Sequence, residues 1–130
     1  QDVVLVGGVS YDDLPRYYAT ADIFCSPATG AESFGIVLLE AMAAGKPIVA
    51  SDIEGYQGIV SHGRQGLLVP ARDSEALAEA LVSLLEAPDR ARAMGLRGRQ
   101  IARERFDVRR MVARVDALYR ELLREKGIET

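Results

Sequence analysis

The apolar residues of this chain fall into four short runs that alternate with segments of helical spacing. The runs cover residues 3–6, 23–26, 48–50 and 67–69, and each is bounded on at least one side by Gly or Pro. None of them alternates apolar with polar residues, as a half-exposed strand would. Short continuous apolar strands joined by helical segments are typical of a parallel sheet covered on both faces. The pattern therefore predicts an α/β fold.

Helices are predicted both between these strands and after them. Residues 14–21 carry apolar side chains at helical spacing, and residues 34–44 are mostly helix formers followed by the stop signal Gly45-Lys46-Pro47. A single helical turn is expected at residues 58–61. Three helices are predicted beyond the last strand: one from Asp73 or Ser74 to Leu85, one from Pro88 to about Arg105, and one from Val108 to Leu122. The apolar stripe of the last helix is larger than a solvent-exposed helix needs, so we expect part of it to lie uncovered.

The composition is that of one folded domain or part of one, with 130 residues, 48% of them hydrophobic and 27% charged. No apolar run approaches the roughly 18 residues that a membrane span needs. Cys25 is the single cysteine and His62 the single histidine, which excludes disulfide scaffolds, cysteine-bound zinc modules and cysteine–histidine hydrolases. We expect both residues to be structural. The chain begins with Gln1 and shows no signal or transit peptide, and we interpret it as a segment of a longer protein.

The charge is distributed unevenly along the chain. Residues 1–87 hold 4 basic and 12 acidic side chains, a net charge of −8, whereas residues 88–130 hold 12 basic and 7 acidic side chains, a net charge of +5. We interpret the basic part as the solvated face of amphipathic helices, and we expect no nucleic-acid partner. Peripheral contact of the longer protein with an anionic membrane stays open.

The loop after the second strand is the strongest candidate for chemistry. Residues 27–36 contain the small residues Gly30, Ala31 and Gly35 and lead into a helix, whose first N–H groups and positive dipole end are free. Such a helix start binds anions, most naturally a phosphate. Ligands of open parallel sheets bind at this edge, beyond the carboxyl ends of the strands.

Two glutamates accompany the predicted anion site. Glu32 lies in the loop, and Glu40 lies eight positions later, within the helix. Since carboxylates repel an anion, they suit hydroxyl-rich groups such as a sugar or a ribose. The alternative is that Glu32 only complements the helix dipole and Glu40 only faces solvent. Against that alternative, Glu40 is flanked by Val37, Leu39 and other apolar residues, and therefore requires a partner.

The segment from Glu32 to Ser51 resembles the signature of the retaining family 4 glycosyltransferases of GT-B fold, in which two glutamates are separated by seven residues. The resemblance covers nearly the whole chain and continues through Gly7-Gly8-Val9 and the stretch from Gly63 to Pro70. The loop from Ser26 to Gly35 is most similar to the phosphatidylinositol mannosyltransferase branch. That branch implies GDP-mannose as the donor, with a UDP-sugar as the alternative.

The resemblance also implies an architecture. The fold would be the truncated, Rossmann-like C-terminal half of a GT-B fold, with a parallel sheet, flanking helices and a C-terminal helical tail. Residues 1–87 would form a partial nucleotide-sugar-binding domain, and residues 88–130 would be basic amphipathic helices of that same domain. An N-terminal acceptor-binding domain would lie outside this chain. The longer protein would be cytoplasmic, with peripheral association at the inner membrane face left open.

By the same resemblance, the full-length enzyme would transfer a hexosyl group to a lipid or glycan with retention of configuration, using neither a metal nor a cofactor. Glu32 would be the catalytic glutamate that contacts the donor sugar, and Glu40 would hold the ribose hydroxyls. Val9 would lie against the nucleobase. The remaining donor-binding residues would surround the sugar and diphosphate: Ser33, Phe34, Gly35, Ile36 and Val37.

Two departures from the family pattern bear on this assignment. The family's phosphate-binding arginine and lysine lie upstream of Gln1, so the isolated fragment is expected to be inactive. Residues 54–58, Glu-Gly-Tyr-Gln-Gly, replace the more usual Gly-Gly-x-Pro-Glu, which puts a donor contact there in doubt. The alternative function is a non-catalytic nucleotide-binding or interaction domain on the same scaffold. An NAD-dependent oxidoreductase is disfavoured, because no G-x-G-x-x-G follows any predicted strand.

The doubly wound strand order 3-2-1-4-5-6 makes a further prediction. The strands at residues 23–26, 48–51 and 67–69 would be sequential neighbours and should pair. The run at residues 3–6 would lack its own neighbours, and we expect it either to pair beside the strand at residues 23–26 or to remain loose.

Overall fold

The computed structural model describes residues 2–128. Three strands, β1 (Phe24–Ser26), β2 (Ile48–Ser51) and β3 (Gly66–Val69), form one parallel sheet in the order β1-β2-β3. In its register, Cys25 lies opposite Val49, and Val49 lies opposite Leu67. The described residues also form six helices: α1 (Leu14–Thr20), α2 (Ile36–Ala43), α3 (Glu54–Gln57), α4 (Ser74–Leu85), α5 (Pro88–Arg105) and α6 (Val108–Glu125). The predicted α/β class is confirmed.

The central strand β2 divides the core into two buried clusters. Side chains alternate between the faces of a strand, so Ile48 and Ala50 point to one face and Val49 to the other. The first cluster joins Ile48 and Ala50 to residues of α2 and α3 and to the second half of α5. The second joins Val49 to β3, to α4 and to the first half of α5. The sheet is thus covered on both faces, as its uninterrupted apolar strands predict.

Small residues allow α5 to pack closely against its neighbours. A Cβ atom built on Gly95 would collide with the backbone carbonyl of Gly45, and one on Gly98 would lie 3.3 Å from the side chain of Met42. Glycine inside a helix costs about 1 kcal/mol relative to alanine. Here the close approach of α5 to the end of α2 offsets that cost.

Most of the predicted elements are present with nearly the predicted bounds. The pairing of the three strands from the middle of the chain is confirmed. Helix α4 begins after Asp73, whose side chain accepts a hydrogen bond from the N–H of Ala76 at 2.9 Å. Helix α5 begins at Pro88 and α6 at Val108, as predicted. Helix α2 begins at Ile36 rather than Phe34, because Gly35 adopts a left-handed conformation at its N-cap.

The prediction of a strand at residues 3–6 is wrong. Residues 2–10 contain neither helix nor strand, and Val3, Val4 and Leu5 are 69%, 79% and 94% exposed. A strand needs a neighbour for its N–H and C=O groups, and no described strand pairs with this segment. Of the two outcomes expected for this run, pairing beside β1 is therefore excluded.

The helical turn predicted at residues 58–61 is also misplaced. It lies four residues earlier, as α3, and the N–H groups of Ile59 and Val60 extend it by bonding to the carbonyl of Tyr56 at 3.0 and 2.9 Å. The fully buried side chain of Tyr56 anchors this turn. Gly55 looks like a helix breaker in the sequence, but it is required there by a close backbone contact described below.

Helix α6 contributes no buried residue. The side chains of its apolar stripe are between 41% and 62% exposed: Val108, Met111, Val112, Val115, Leu118, Tyr119 and Leu122. The expectation that part of this stripe lies uncovered agrees with the structure. None of the helices in the described part of the chain is long and apolar enough to cross a membrane.

Candidate functional site

The loop between β1 and α2 lies at the carboxyl edge of the sheet and reverses direction through unusual backbone conformations. Gly30, Ala31 and Gly35 have φ angles of 145°, 62° and 75°. Ala31 is one of two non-glycine residues with positive φ in the described chain, and such a conformation costs of order 1–2 kcal/mol. The surrounding structure must therefore hold the loop in place.

Helix α3 supplies that support. A Cβ atom on Gly55 would collide with the backbone carbonyl of Glu32, so the two segments are in direct backbone contact. The ring of Tyr56 lies against Gly35, and the Tyr56 hydroxyl is 2.7 Å from the Ser26 hydroxyl at the end of β1. Residues 54–58, in which the sequence departs from the family pattern, therefore support the loop between β1 and α2.

The first turn of α2 is free to meet a ligand. Gly35 is the N-cap and no side chain caps the helix. Ile36 and Val37 in the first turn are 62% and 38% exposed. The unpaired N–H groups of a helix start and the positive end of its dipole attract an anion. Such a helix start suits a phosphate, and the phosphate site expected there stays a prediction.

The side chains on either side of this helix start differ in how firmly they are held. Glu32 and Ser33 are exposed in the loop. Phe34 is 48% exposed, and its ring packs edge-on against Phe106 after α5, with the ring centroids 6.3 Å apart. A ligand at the start of α2 would find the Glu32 carboxylate unobstructed.

Glu40 is partly buried and has the partner that its position requires. The Tyr18 hydroxyl in α1 donates a hydrogen bond to Glu40 Oε2 at 2.8 Å. Burial raises the pKa of Tyr18, and the hydrogen bond to Glu40 and the Glu40 charge raise it further. The Tyr18 phenol therefore stays protonated near neutral pH and acts as a donor. Glu40 is not merely a solvated side chain.

A largely apolar cavity lies between α1 and α2, beside Glu40. Its volume is about 480 Å³, which lies within the range that small-ligand sites occupy. Its lining residues are Tyr11, Leu14, Pro15, Tyr18, Ala19, Glu40, Ala43 and Ala44. An apolar cavity with a carboxylate at its side suits a flat ring that carries a hydroxyl-bearing group.

The structure groups seven of the eight predicted site residues on one continuous segment. This segment runs from Glu32 through the first turn of α2 to Glu40. Val9 lies apart: it precedes the turn into α1, is 38% exposed, and is joined to the loop by no hydrogen bond among residues 2–128.

Three residues near the site were missed by the sequence analysis, namely Tyr18, Gly55 and Tyr56. Tyr18 was read only as part of the apolar face of a helix, although a buried tyrosine hydroxyl normally requires a polar partner. Gly55 and Tyr56 stand out in the sequence only as part of residues 54–58, which depart from the family pattern. Their roles depend on contacts between segments that are 22 to 30 residues apart.

The single cysteine and histidine lie in β1 and in the turn before β3. Burial raises the pKa of the Cys25 thiol, which keeps it protonated and unreactive. The N–H of Leu68 donates to Nδ1 of His62 at 3.0 Å, so His62 stabilises the turn that leads into β3. Both contacts agree with the structural roles predicted for these residues.

The parallel sheet with a loop–helix site at its carboxyl edge is the arrangement of a GT-B glycosyltransferase domain. The profile of the family described as "Glycosyl transferases group 1" matches residues 1–101. This chain belongs to that family. The resemblance found in the sequence is confirmed.

Among curated relatives, the chain is 59% identical over 66 residues to a phosphatidyl-myo-inositol mannosyltransferase of Mycobacterium leprae, covering 51% of this chain and 18% of that protein. It is 43% identical over 104 residues to a GDP-mannose-dependent alpha-(1-6)-phosphatidylinositol monomannoside mannosyltransferase of Mycobacterium tuberculosis, covering 75% of this chain and 27% of that protein. The chain thus spans about a quarter or less of the length of these relatives.

Two solved structures share the fold. Sucrose-phosphate synthase from Thermosynechococcus elongatus superposes with a TM-score of 0.85 at 37% identity, covering 92% of this chain and 30% of that chain. The Anabaena protein HepE, in complex with UDP-glucose, superposes with a TM-score of 0.79 at 30% identity, covering 84% of this chain and 30% of that chain. The similarity to GT-B glycosyltransferase domains therefore extends over most of the present chain.

Proposed function

We propose that this chain is the donor-binding part of a retaining hexosyltransferase, with GDP-mannose as the donor. The observation that carries the proposal is the pair Glu32 and Glu40 on either side of an uncapped helix start. The helix start suits a diphosphate, and the two carboxylates suit the hydroxyl groups of the sugar and the ribose. A nucleoside diphosphate sugar combines all three chemical groups.

The cavity beside Glu40 supports the same ligand. In this proposal the nucleobase occupies the apolar space between α1 and α2, the ribose lies at Glu40, and the diphosphate lies at Gly35, Ile36 and Val37. The sugar then reaches Glu32 in the loop. Ser33 and Phe34 flank the sugar, and Val9, which precedes the turn into α1, contacts the base when the nucleotide is bound.

The donors associated with the similar proteins favour one candidate donor over another. The Mycobacterium tuberculosis relative is GDP-mannose-dependent, whereas the HepE complex contains UDP-glucose. The mannosyltransferase shares 43% of its aligned residues with this chain and HepE shares 30%. We therefore propose GDP-mannose, with a UDP-sugar as the competing donor, and a lipid of the phosphatidylinositol type as the acceptor.

The proposed reaction breaks the bond between the anomeric carbon and the diphosphate oxygen. The acceptor hydroxyl forms its new bond on the same face of the sugar, and its proton passes to the departing diphosphate. The helix start stabilises the negative charge that develops on that diphosphate, and Glu32 orients the sugar hydroxyls. The acceptor that carries this hydroxyl would be bound by the N-terminal domain that we propose for the longer protein.

The decisive experiment measures mannosyl transfer by the full-length transferase that we propose carries this chain. Glu32→Gln is expected to lower kcat/KM at least about 100-fold, because the carboxylate acts at the reacting sugar. Glu75→Gln, an exposed change at the start of α4, is the matched control and should leave transfer unchanged. Unchanged transfer in Glu32→Gln would favour the alternative, a binding domain without catalytic function.

A further inference from the structure

The position of the Tyr18 hydroxyl is set by contacts on both sides of α1. Its ring packs against Phe24 of β1, with the ring centroids 5.4 Å apart. The end of α1 is tied down by Lys46, whose Nζ donates to the carbonyl of Ala19 at 2.8 Å. The hydroxyl therefore meets Glu40 from a fixed direction, 2.8 Å from Oε2.

This hydrogen bond occupies only part of the acceptor capacity of Glu40. An ionised carboxylate has two oxygens and about four lone-pair directions. Oε2 is bound to Tyr18, and Glu40 also lines the cavity between α1 and α2, so Oε1 can accept a hydrogen bond from a ligand in that cavity. A glutamate has three side-chain torsions, and fixing them before a ligand arrives removes part of the entropy cost of binding.

We propose that Tyr18 is a positioning residue for the donor: its hydroxyl holds the Glu40 carboxylate so that Oε1 accepts a ribose hydroxyl. This inference rests on the proposed function, since it assigns Glu40 to the ribose. Tyr18 itself makes no bond to the reacting atoms. Its effect is confined to the nucleoside half of the ligand.

The test compares Tyr18→Phe with the unchanged 130-residue chain in an NMR-monitored titration with GDP. This substitution keeps the ring that packs on Phe24 and removes only the donor to Glu40. Tyr17→Phe is the matched control, because Tyr17 lies on the same helix, is 46% exposed, and has no hydroxyl contact with Glu40. We expect Tyr18→Phe to raise the Kd for GDP about three- to tenfold and Tyr17→Phe to leave it unchanged.

The same titration with 2′,3′-dideoxy-GDP separates positioning from general loosening of the fold. This nucleotide lacks the hydroxyls that Glu40 would bind, so Tyr18→Phe should bind it as the unchanged chain does. Equal weakening of both nucleotides would indicate only a structural role and would overturn the inference. Unchanged or tighter binding of GDP by Tyr18→Phe would overturn it as well.

Glu40→Gln identifies which of the two proposals fails. If Glu40→Gln weakens GDP binding and Tyr18→Phe does not, the ribose assignment stands and the positioning role of Tyr18 is refuted. If the full-length transferase that we propose carries this chain binds neither GDP nor UDP, the proposed function fails, and the inference fails with it. NMR spectra of each free variant establish that the fold is retained.

Discussion

Helices α5 and α6 have the same length and both carry a net positive charge, but they pack very differently. Each has 18 residues, and each is rich in arginine. Helix α5 buries six residues: Ala91, Met94, Gly95, Gly98, Ile101 and Ala102. Helix α6 buries none, although its apolar stripe is longer and contains larger side chains.

The comparison shows that an apolar stripe and a packed helix are different properties. Helix α5 is held by backbone proximity, since Gly95 and Gly98 bring it against the end of α2. It contributes Ile101 to the first core cluster and Ala91 to the second. Helix α6 follows directly after Asp107, and none of its residues is buried. A large apolar stripe therefore indicates a helix without indicating what covers it.

The largest effect is expected from truncating one apolar side chain in each helix. Ile101→Ala removes a side chain that is 8% exposed and should lower the free energy of unfolding by about 2–4 kcal/mol. Leu118→Ala removes one that is 53% exposed and should change it by less than about 0.5 kcal/mol. Chemical denaturation of the two variants measures both values. Equal destabilisation would mean that α6 packs against the core in solution.

The second-largest effect on the free energy of unfolding is expected where α5 packs closely against the end of α2. Gly95→Ala places a methyl group where the Gly45 carbonyl lies, and we expect a loss of about 2 kcal/mol in the free energy of unfolding. Gly58→Ala is the matched control, because a Cβ there meets nothing within 4 Å and its φ of −73° suits alanine. Gly58→Ala should be neutral or slightly stabilising. Neutral behaviour of Gly95→Ala would refute the close backbone contact.

The sequence was sufficient to predict those elements that depend on residues close together in the chain. Strands β1, β2 and β3 follow from continuous apolar runs, and the start of α4 follows from the capping residue Asp73. The segment at residues 3–6 has the same local pattern as these strands but lacks a neighbouring strand. The local pattern therefore indicates which secondary structure a segment favours, whereas strand pairing also requires a neighbouring strand.

The candidate site shows the same difference between what the local sequence predicts and what depends on contacts with distant segments. The segment from Glu32 to Glu40 was predicted because its residues are close in sequence, although its helix begins two residues later than predicted, at Ile36. The contacts that hold it come from elsewhere: Tyr18 reaches Glu40 from α1, and Tyr56 reaches Ser26 and Gly35 from α3. No spacing rule links such distant residues, so these supporting contacts emerged only from the fold.

The smallest effect is a pH dependence at the junction between the two helices. Asp107 caps α6 by accepting a hydrogen bond from the N–H of Arg109 at 2.8 Å. This backbone bond, followed by the hydrogen bond from the Arg109 side chain, holds the pKa of Asp107 below its usual range. Because the folded-state pKa is lowered, the cap contributes fully above the unfolded pKa of about 3.9 and is lost as the pH falls through the folded value.

Acid should therefore loosen the start of α6 before it affects α5. Residue-resolved hydrogen exchange is expected to show the amides of residues 110–112 losing protection below about pH 4, while those of Ile101 and Ala102 in α5 remain protected. In Asp107→Asn, whose amide side chain caps a helix without titrating, the acid step in α6 should disappear. If Ile101 and Ala102 lost protection at the same pH as the start of α6, the two helices would form one cooperative unit. The contrast between a packed α5 and an uncovered α6 would then not hold in solution.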